Sequence, residues 1–508
     1  MKNLFLPYLC LGIRRKETGL VYITCMLVIV CLMIGGCGES SNTVDSSNRN
    51  LSGTAAKNPT SGGASATAWS PDDPLMPTGD CIQDTENLQL ALHHSNMDNG
   101  GTLYLGPGTF KVCATLVRHD IPGEFGYNPV PFNGTIQGSG KGVTIIKSVR
   151  GPGGEPFTPS FDGFPITFAV WSLDYFGVKD LTFEADSEIA DLWDIGWYPP
   201  TRGLLSYVNL GGGVYGAGNP HGSDCINVHF KGSLDSGGDP EIPLMFEVFG
   251  GGGGTHNVKS CEFENGSFLM LEYGEVGNTT INVGGSPKER VTFTNTTDMQ
   301  CLSISIWFCG DATVNISHIE TYNTSGALWN QTNPANSLSN FNLTNNIVNM
   351  IPESWYAGVE MWAENFGEVS TVVTGNKFHS NSSSIFGPIM FAGVSSGLIT
   401  NNKFTGSGPV AINVGFFEYP GVVTLVGNNL QTWETTENPW VEDLYAPIWF
   451  GPNITNSLVV GGNNHENIWD LGQDNTYTGV NNMQQNIGQR IKEAMQQKAQ
   501  AMKAMRGH

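Results

Sequence analysis

Three short phrases recur at a fixed interval. "VVTGNKFHS" starts at Val372, "LITNNKFTG" at Leu398 and "TLVGNNLQT" at Thr424, each twenty-six residues after the last. A regular period of this length marks a solenoid, in which each repeat contacts only its neighbours. One coil of that size holds three strands of about five residues and three turns of about two to six. Coils stacked about 4.8 Å apart bring equivalent positions into ladders. The apolar residues on either side of each phrase are expected inside. Asn376, Asn402 and Asn429 are expected at the sharp turn, because Asn tolerates left-handed φ and its amide can bond to its own copy one coil away. Lys377 and Lys403 follow on the outside, and no other Lys or Arg occurs between Arg290 and Arg490.

The period reaches well beyond these phrases. "VKDLTF" ends at Phe183, "INVHF" at Phe230, "VKSCEF" at Phe263, "VNISHI" at Ile319, "LTNNI" at Ile347 and "VGGNNH" at His465. Longer intervals mark insertions, among them the 47 residues from Phe183 to Phe230. A repeat fold grows without a new core, so the 508-residue length does not require several domains. The chain is acidic, with a formal net charge of −22 and 14% charged residues, which argues against nucleic acid as a partner.

Four segments follow from composition. Residues 1–36 form a leader: Arg14, Arg15 and Lys16 precede an apolar run from Gly19 to Ile34 that is too short to favour a membrane span. Residues 37–79 are Ser-, Asn-, Thr- and Gly-rich and read as a tether. Residues 80–480 carry the solenoid. Residues 481–508 read as an amphipathic helix with Met483, Ile487, Ile491, Met495 and Met502 on one face. That helix is either a lid on the end of the solenoid or a surface for a partner or membrane.

"DTENLQLALHHSN" from Asp84 has Leu88, Ala91 and Leu92 at helical spacing, with Thr85 as N-cap. "NGGTLYLGPGTFKV" and "GTIQGSGKGVTIIK" follow. This order resembles the start of right-handed parallel β-helices of the pectate-lyase superfamily, and the resemblance implies an all-β solenoid whose N-terminal end is plugged by the helix. Ile34-Gly35-Gly36-Cys37 resembles the lipobox of bacterial lipoproteins, which implies lipidation at Cys37 and anchoring at the outer membrane or cell surface. The active-site motifs of polygalacturonase-like β-helices do not carry over: "NTTD" at Asn295 has one residue too many, G-H-G is absent, and "RIK" at Arg490 falls in the terminal helix.

Six cysteines follow Cys37. An even number in an exported chain suggests disulfides, with Cys81–Cys113 and Cys301–Cys309 the pairings to test. No zinc-ligand spacing is present.

Period-two alternation in the strand after each ladder turn places Leu269 and Leu271, Ile304 and Ile306, Val359 and Met361, Ile389 and Phe391, Ile412 and Val414, and Ile448 and Phe450 inside. Met270, Glu272, Ser305, Trp307, Glu360, Trp362, Met390, Asn413 and Trp449 then face out, with Trp469 continuing the row. An exposed row of tryptophans suits stacking on sugar rings. The competing reading is that insertions fold over the row and bury it. Trp307, Trp362, Trp449 and Asn413 are the candidate substrate-binding residues, and Glu360, Glu272 and Glu364 the candidate catalytic carboxyls, with Asp311 a further partner. Glu272 and Glu360 are three coils, about 14 Å, apart, too far for a glycosidase pair.

Lys231, Lys259, Lys288 and Arg290 are the cations available to a lyase. Asp186, Glu188, Asp191 and Asp194 can hold calcium, and His221 or Asp224 can act as acid or base. The expected function is a surface carbohydrate-active protein that binds a polysaccharide along the Trp307–Trp362–Trp449 face, with hydrolysis or lysis of that polysaccharide left open. The alternative is a non-catalytic adhesin or spacer.

Overall fold

A computed structural model describes residues 69–94, 97, 100–118, 134–155, 157, 166–172, 175–186, 203–209, 222–232, 244–250, 254–272, 279–295, 303–309, 311–332, 338–352, 354, 357–363, 368–415, 420–438, 445–460 and 468–478. Every pairing between its named strands is parallel, and each strand pairs with its equivalents one coil before and one coil after it. Each coil contributes three strands in chain order. Ala312–Ser317, Leu338–Thr344, Glu368–Thr374 and Ser396–Thr400 belong to the first face. Ile319–Thr324, Ile347–Met350, Lys377–Ser380 and Lys403–Gly408 belong to the second. Leu328–Thr332, Val359–Ala363, Ile389–Ala392 and Ile412–Val414 belong to the third. Two long strands, Phe176–Ala185 and Ser223–Lys231, run through from the first face to the second and join them into one sheet. The third face is a separate sheet of twelve described strands. The architecture is the expected right-handed parallel β-helix, the hand that parallel crossover connections adopt.

The core is built of stacked like residues. Phe183, Phe230, Phe263 and Phe293 stack ring on ring with centroids 5.6, 4.9 and 4.7 Å apart, and Phe378 and Phe404 stack at 5.3 Å. The asparagine ladder is present, shifted by one residue at its end. Asn376 Nδ2 donates to Asn402 Oδ1 (2.9 Å), and Asn402 Nδ2 donates to Asn428 Oδ1 (3.0 Å). Asn428, not Asn429, is therefore the third rung, and the ladder begins earlier, where the backbone N–H of Asn346 donates to Asn376 Oδ1 (2.9 Å). All four rungs are buried. The left-handed φ falls on the residue before each rung: Asn345, Gly375, Asn401 and Gly427. The turn thus divides two tasks between adjacent residues, one supplying the positive φ and the next the buried amide.

The helix Cys81–Leu92 lies at the start of the solenoid with Leu88, Ala91 and Leu92 buried, as its spacing predicts. Its N-cap is Asp80, whose carboxylate accepts from Gln83 N (2.9 Å), rather than Thr85. The Thr85 hydroxyl is one turn inside, donating back to Cys81 O (2.6 Å). Buried Asp84 ties the helix down by accepting from Thr78 N, Thr78 Oγ1, Gly79 N and Lys111 N. The fold also starts before residue 80, since Leu75 bridges Leu105 in parallel. The segments 1–36 and 481–508 and the lipidation residue Cys37 lie outside the described residues.

Candidate functional site

Strand register on the third face settles which candidates share a row. One row runs Ser305, Trp329, Glu360, Met390, Asn413, Trp449, Trp469. A second row, two residues further along each strand, runs Leu271, Trp307, Gln331, Trp362, Ala392. Trp307 and Trp362 thus share a row two coils apart, while Trp449 and Asn413 stand in the other. Trp329 is a tryptophan the sequence reading passed over, although Leu328 before it aligns with Ile304 and Val359 as alternation requires.

The first row is not a solvent face. Ser305, Glu360, Met390, Asn413, Trp449 and Trp469 are all buried, Trp449 at 3% and Trp469 at 4% exposure. Asn413 Nδ2 donates to Ile385 O (2.8 Å), so the connection before the Ile389 strand closes against this row. Trp449 and Trp469 meet edge to face with centroids 5.0 Å apart, and neither indole N–H has a partner. Burial therefore overturns the expectation that Trp449, Asn413 and Glu360 are displayed to solvent, and the covered-row reading holds for them. Glu360 is 5% exposed, and its Oε2 accepts from Ala357 N (3.2 Å), which locks the turn into its own strand.

The other carboxyls are elsewhere. Met270 aligns with Ile306, and Leu269 with Ser305. Leu269 therefore stands in the row of Glu360, and Glu272 shares the parity of Met270, opposite to the one expected. The segment "SFLMLE" is apolar on both parities, so alternation offered no signal there. Glu272 and Glu360 do lie three coils apart. Asp311 is exposed at the entry to the first face, where its Oδ1 accepts from Leu338 N (2.7 Å). Glu364 lies outside the described residues.

The first face carries an unforeseen polar array. Asn342, Asn315, Asn282 and Asn257 each donate Nδ2 to the previous member, at 2.9, 2.9, 2.9 and 2.8 Å, ending on Asp224 Oδ1. The Tyr175 hydroxyl donates to Asp224 Oδ2 (2.6 Å), and Lys179 lies 3.6 Å from the same oxygen. Burial and then the hydrogen bond to Asp224 push the Tyr175 hydroxyl pKa well up. Asp224 is thus the anchor of an amide ladder rather than an unengaged acid or base. Thr255, Thr280, Thr313 and Asn340 form the adjoining row.

Among the described residues of the N-terminal coils, several cations are paired with carboxylates. Lys141 pairs with Glu262 (2.5 Å), Lys147 with Glu184 and Asp186, Lys231 with Glu184, Lys259 with Glu289 (3.1 Å), and Arg290 with Glu320. Three of the four cations considered for a lyase are therefore occupied by carboxylates. Among the described residues no three His, Cys, Asp or Glu side chains converge as a metal site. Asp186 contacts Lys147, while Glu188, Asp191, Asp194 and His221 lie outside the described residues. Cys81 and Cys113 are free thiols. Cys301 lies outside the described residues, so the Cys301–Cys309 pairing does too.

These features define a parallel β-helix protein with one polar face and one face that carries a buried row ending in Trp449 and Trp469. No protein family and no curated protein matches the chain. Among solved structures, the chain is similar to the Azotobacter vinelandii mannuronan C-5 epimerase AlgE6 A-module. Identity is 14% over 78% of this chain and 97% of that one, with a TM-score of 0.39. It is also similar to tailspike protein 3 of bacteriophage CBA120, at 11% identity over 81% of this chain and 62% of that one, with a TM-score of 0.43.

Proposed function

We propose that the chain binds a polysaccharide along the third face, with Trp307 and Trp362 as stacking platforms and Gln331 between them. The observation that supports this is their shared register row: the two tryptophans stand two coils apart, about 10 Å, close to the length of a disaccharide unit. A neutral amide between two aromatic platforms suits sugar hydroxyls. The burial of Glu360 and its bond to Ala357 N favour binding over cleavage. In this reading the chain is a surface protein held by lipid at Cys37, displaying its solenoid to a glycan.

The test is a glycan array followed by affinity electrophoresis on the glycans retained. Wild type should bind at least one glycan, and Trp307→Ala and Trp362→Ala should each weaken binding about tenfold, which corresponds to about 1.4 kcal/mol. A wild-type chain that retains no glycan, or variants that bind as wild type does, would overturn the reading. Turnover of the bound glycan that Glu360→Gln abolishes would replace binding with catalysis.

A further inference from the structure

The four cysteines whose side chains are described stand in two thiol contacts. One is Cys81 with Cys113 beside the N-terminal helix. The other was not anticipated from the sequence. Cys225 and Cys261 lie on consecutive coils, 36 residues apart in the chain, with their sulfurs 3.6 Å apart and both side chains fully buried. Their setting is rigid. Cys225 sits in the strand Ser223–Lys231 with its Cα in register with Val258. Cys261 follows the left-handed residue Ser260 at the corner between the first two faces. Its sulfur lies 3.3 Å from Cys225 O and 3.2 Å from Lys259 O, and either carbonyl can accept its one proton.

We infer that Cys225 and Cys261 are a disulfide site that cross-links two consecutive coils through the core. The sulfurs are in van der Waals contact and must close to about 2.05 Å for the bond. The two thiols lose two protons and two electrons, forming one S–S bond. The electrons reduce a small-molecule or protein disulfide to its two thiols, so the oxidant belongs to the thiol–disulfide exchange class. Burial raises the Cys225 thiol's pKa, which leaves little thiolate in the folded chain. The bond therefore forms during folding or while these coils are open. Once formed, it restricts the unfolded chain and holds the corner closed.

The full chain is refolded from denaturant in a reduced/oxidised glutathione couple and, in parallel, in dithiothreitol. Both samples are denatured, alkylated and mapped by peptide mass. The glutathione sample should yield the Cys225 peptide linked to the Cys261 peptide, and reduction should return both as free thiols. Its urea midpoint should exceed that of the dithiothreitol sample. Cys225→Ala with Cys261→Ala should abolish that part of the shift, whatever Cys81 and Cys113 contribute. Recovery of Cys225 and Cys261 as alkylated thiols from the glutathione sample, or linkage of either to another cysteine, overturns the inference. The peptide map needs no variant, so it decides the matter even if the double variant does not fold.

Discussion

Asn402 shows how one side chain can hold three coils. Its Oδ1 accepts from the backbone and side-chain nitrogens of Asn376, and its Nδ2 donates to Val373 O and Asn428 Oδ1. Alanine there would strand buried donors and acceptors, each costing about 1–3 kcal/mol. Asn402→Ala should therefore lower the urea midpoint strongly while leaving the slope unchanged, whereas Asn429→Ala, outside the ladder, should be close to neutral. Tyr175 makes a second prediction. Its folded pKa is raised, so its contribution is intact below the ordinary tyrosine value and is lost as pH rises from about 10 through the higher folded value. Wild-type stability should fall over that alkaline range, and Tyr175→Phe should flatten the fall. Urea midpoints across about pH 8 to pH 11, which include the plateau and the onset of the fall, check it.

At the scale of elements, strand register does most to decide the site. A one-residue slip exchanges the two parities of a strand, and "SFLMLE" gave no alternation from which to choose. Where polar and apolar residues alternate, as in "VEMWA", the expected inward pair Val359 and Met361 is indeed buried. Glu360 then stands in the row assigned to it, but the row is covered. Its role as acceptor for Ala357 N–H predicts a specific pattern of substitutions. Glu360→Gln keeps an acceptor and should preserve stability within about 1 kcal/mol, while Glu360→Ala leaves a buried N–H and should cost about 1–3 kcal/mol. Thermal unfolding of both variants separates this structural role from mere occupancy of the row.

At the scale of the whole molecule, a solenoid spreads its stability over neighbour-to-neighbour interfaces. The phenylalanine stack from Phe183 to Phe293 is one such set of interfaces. Phe263→Ala removes its middle and should cost about 3–5 kcal/mol. Amide exchange should rise first in the strands Ser223–Lys231, Glu262–Glu264 and Val291–Thr294 that flank it. The lipid anchor proposed at Cys37 makes a separate prediction. Fatty-acid labelling of cells expressing the chain should mark wild type and not Cys37→Ser, and the variant should leave the membrane fraction.

The sequence by itself determined the solenoid, its period, the asparagine ladder at Asn376 and Asn402, and the inward half of strands that alternate, such as Val359–Ala363. Each of these follows from local φ preference and hydrophobic period, which a single coil already contains. Only the tertiary structure decided which rows are covered, where Glu272 falls, that Asp224 anchors an amide ladder, and that Cys225 meets Cys261. Those facts depend on how insertions of unequal length set one coil against the next. Residues 36 positions apart touch there because the turns between them close, and no local pattern around either cysteine records that closure.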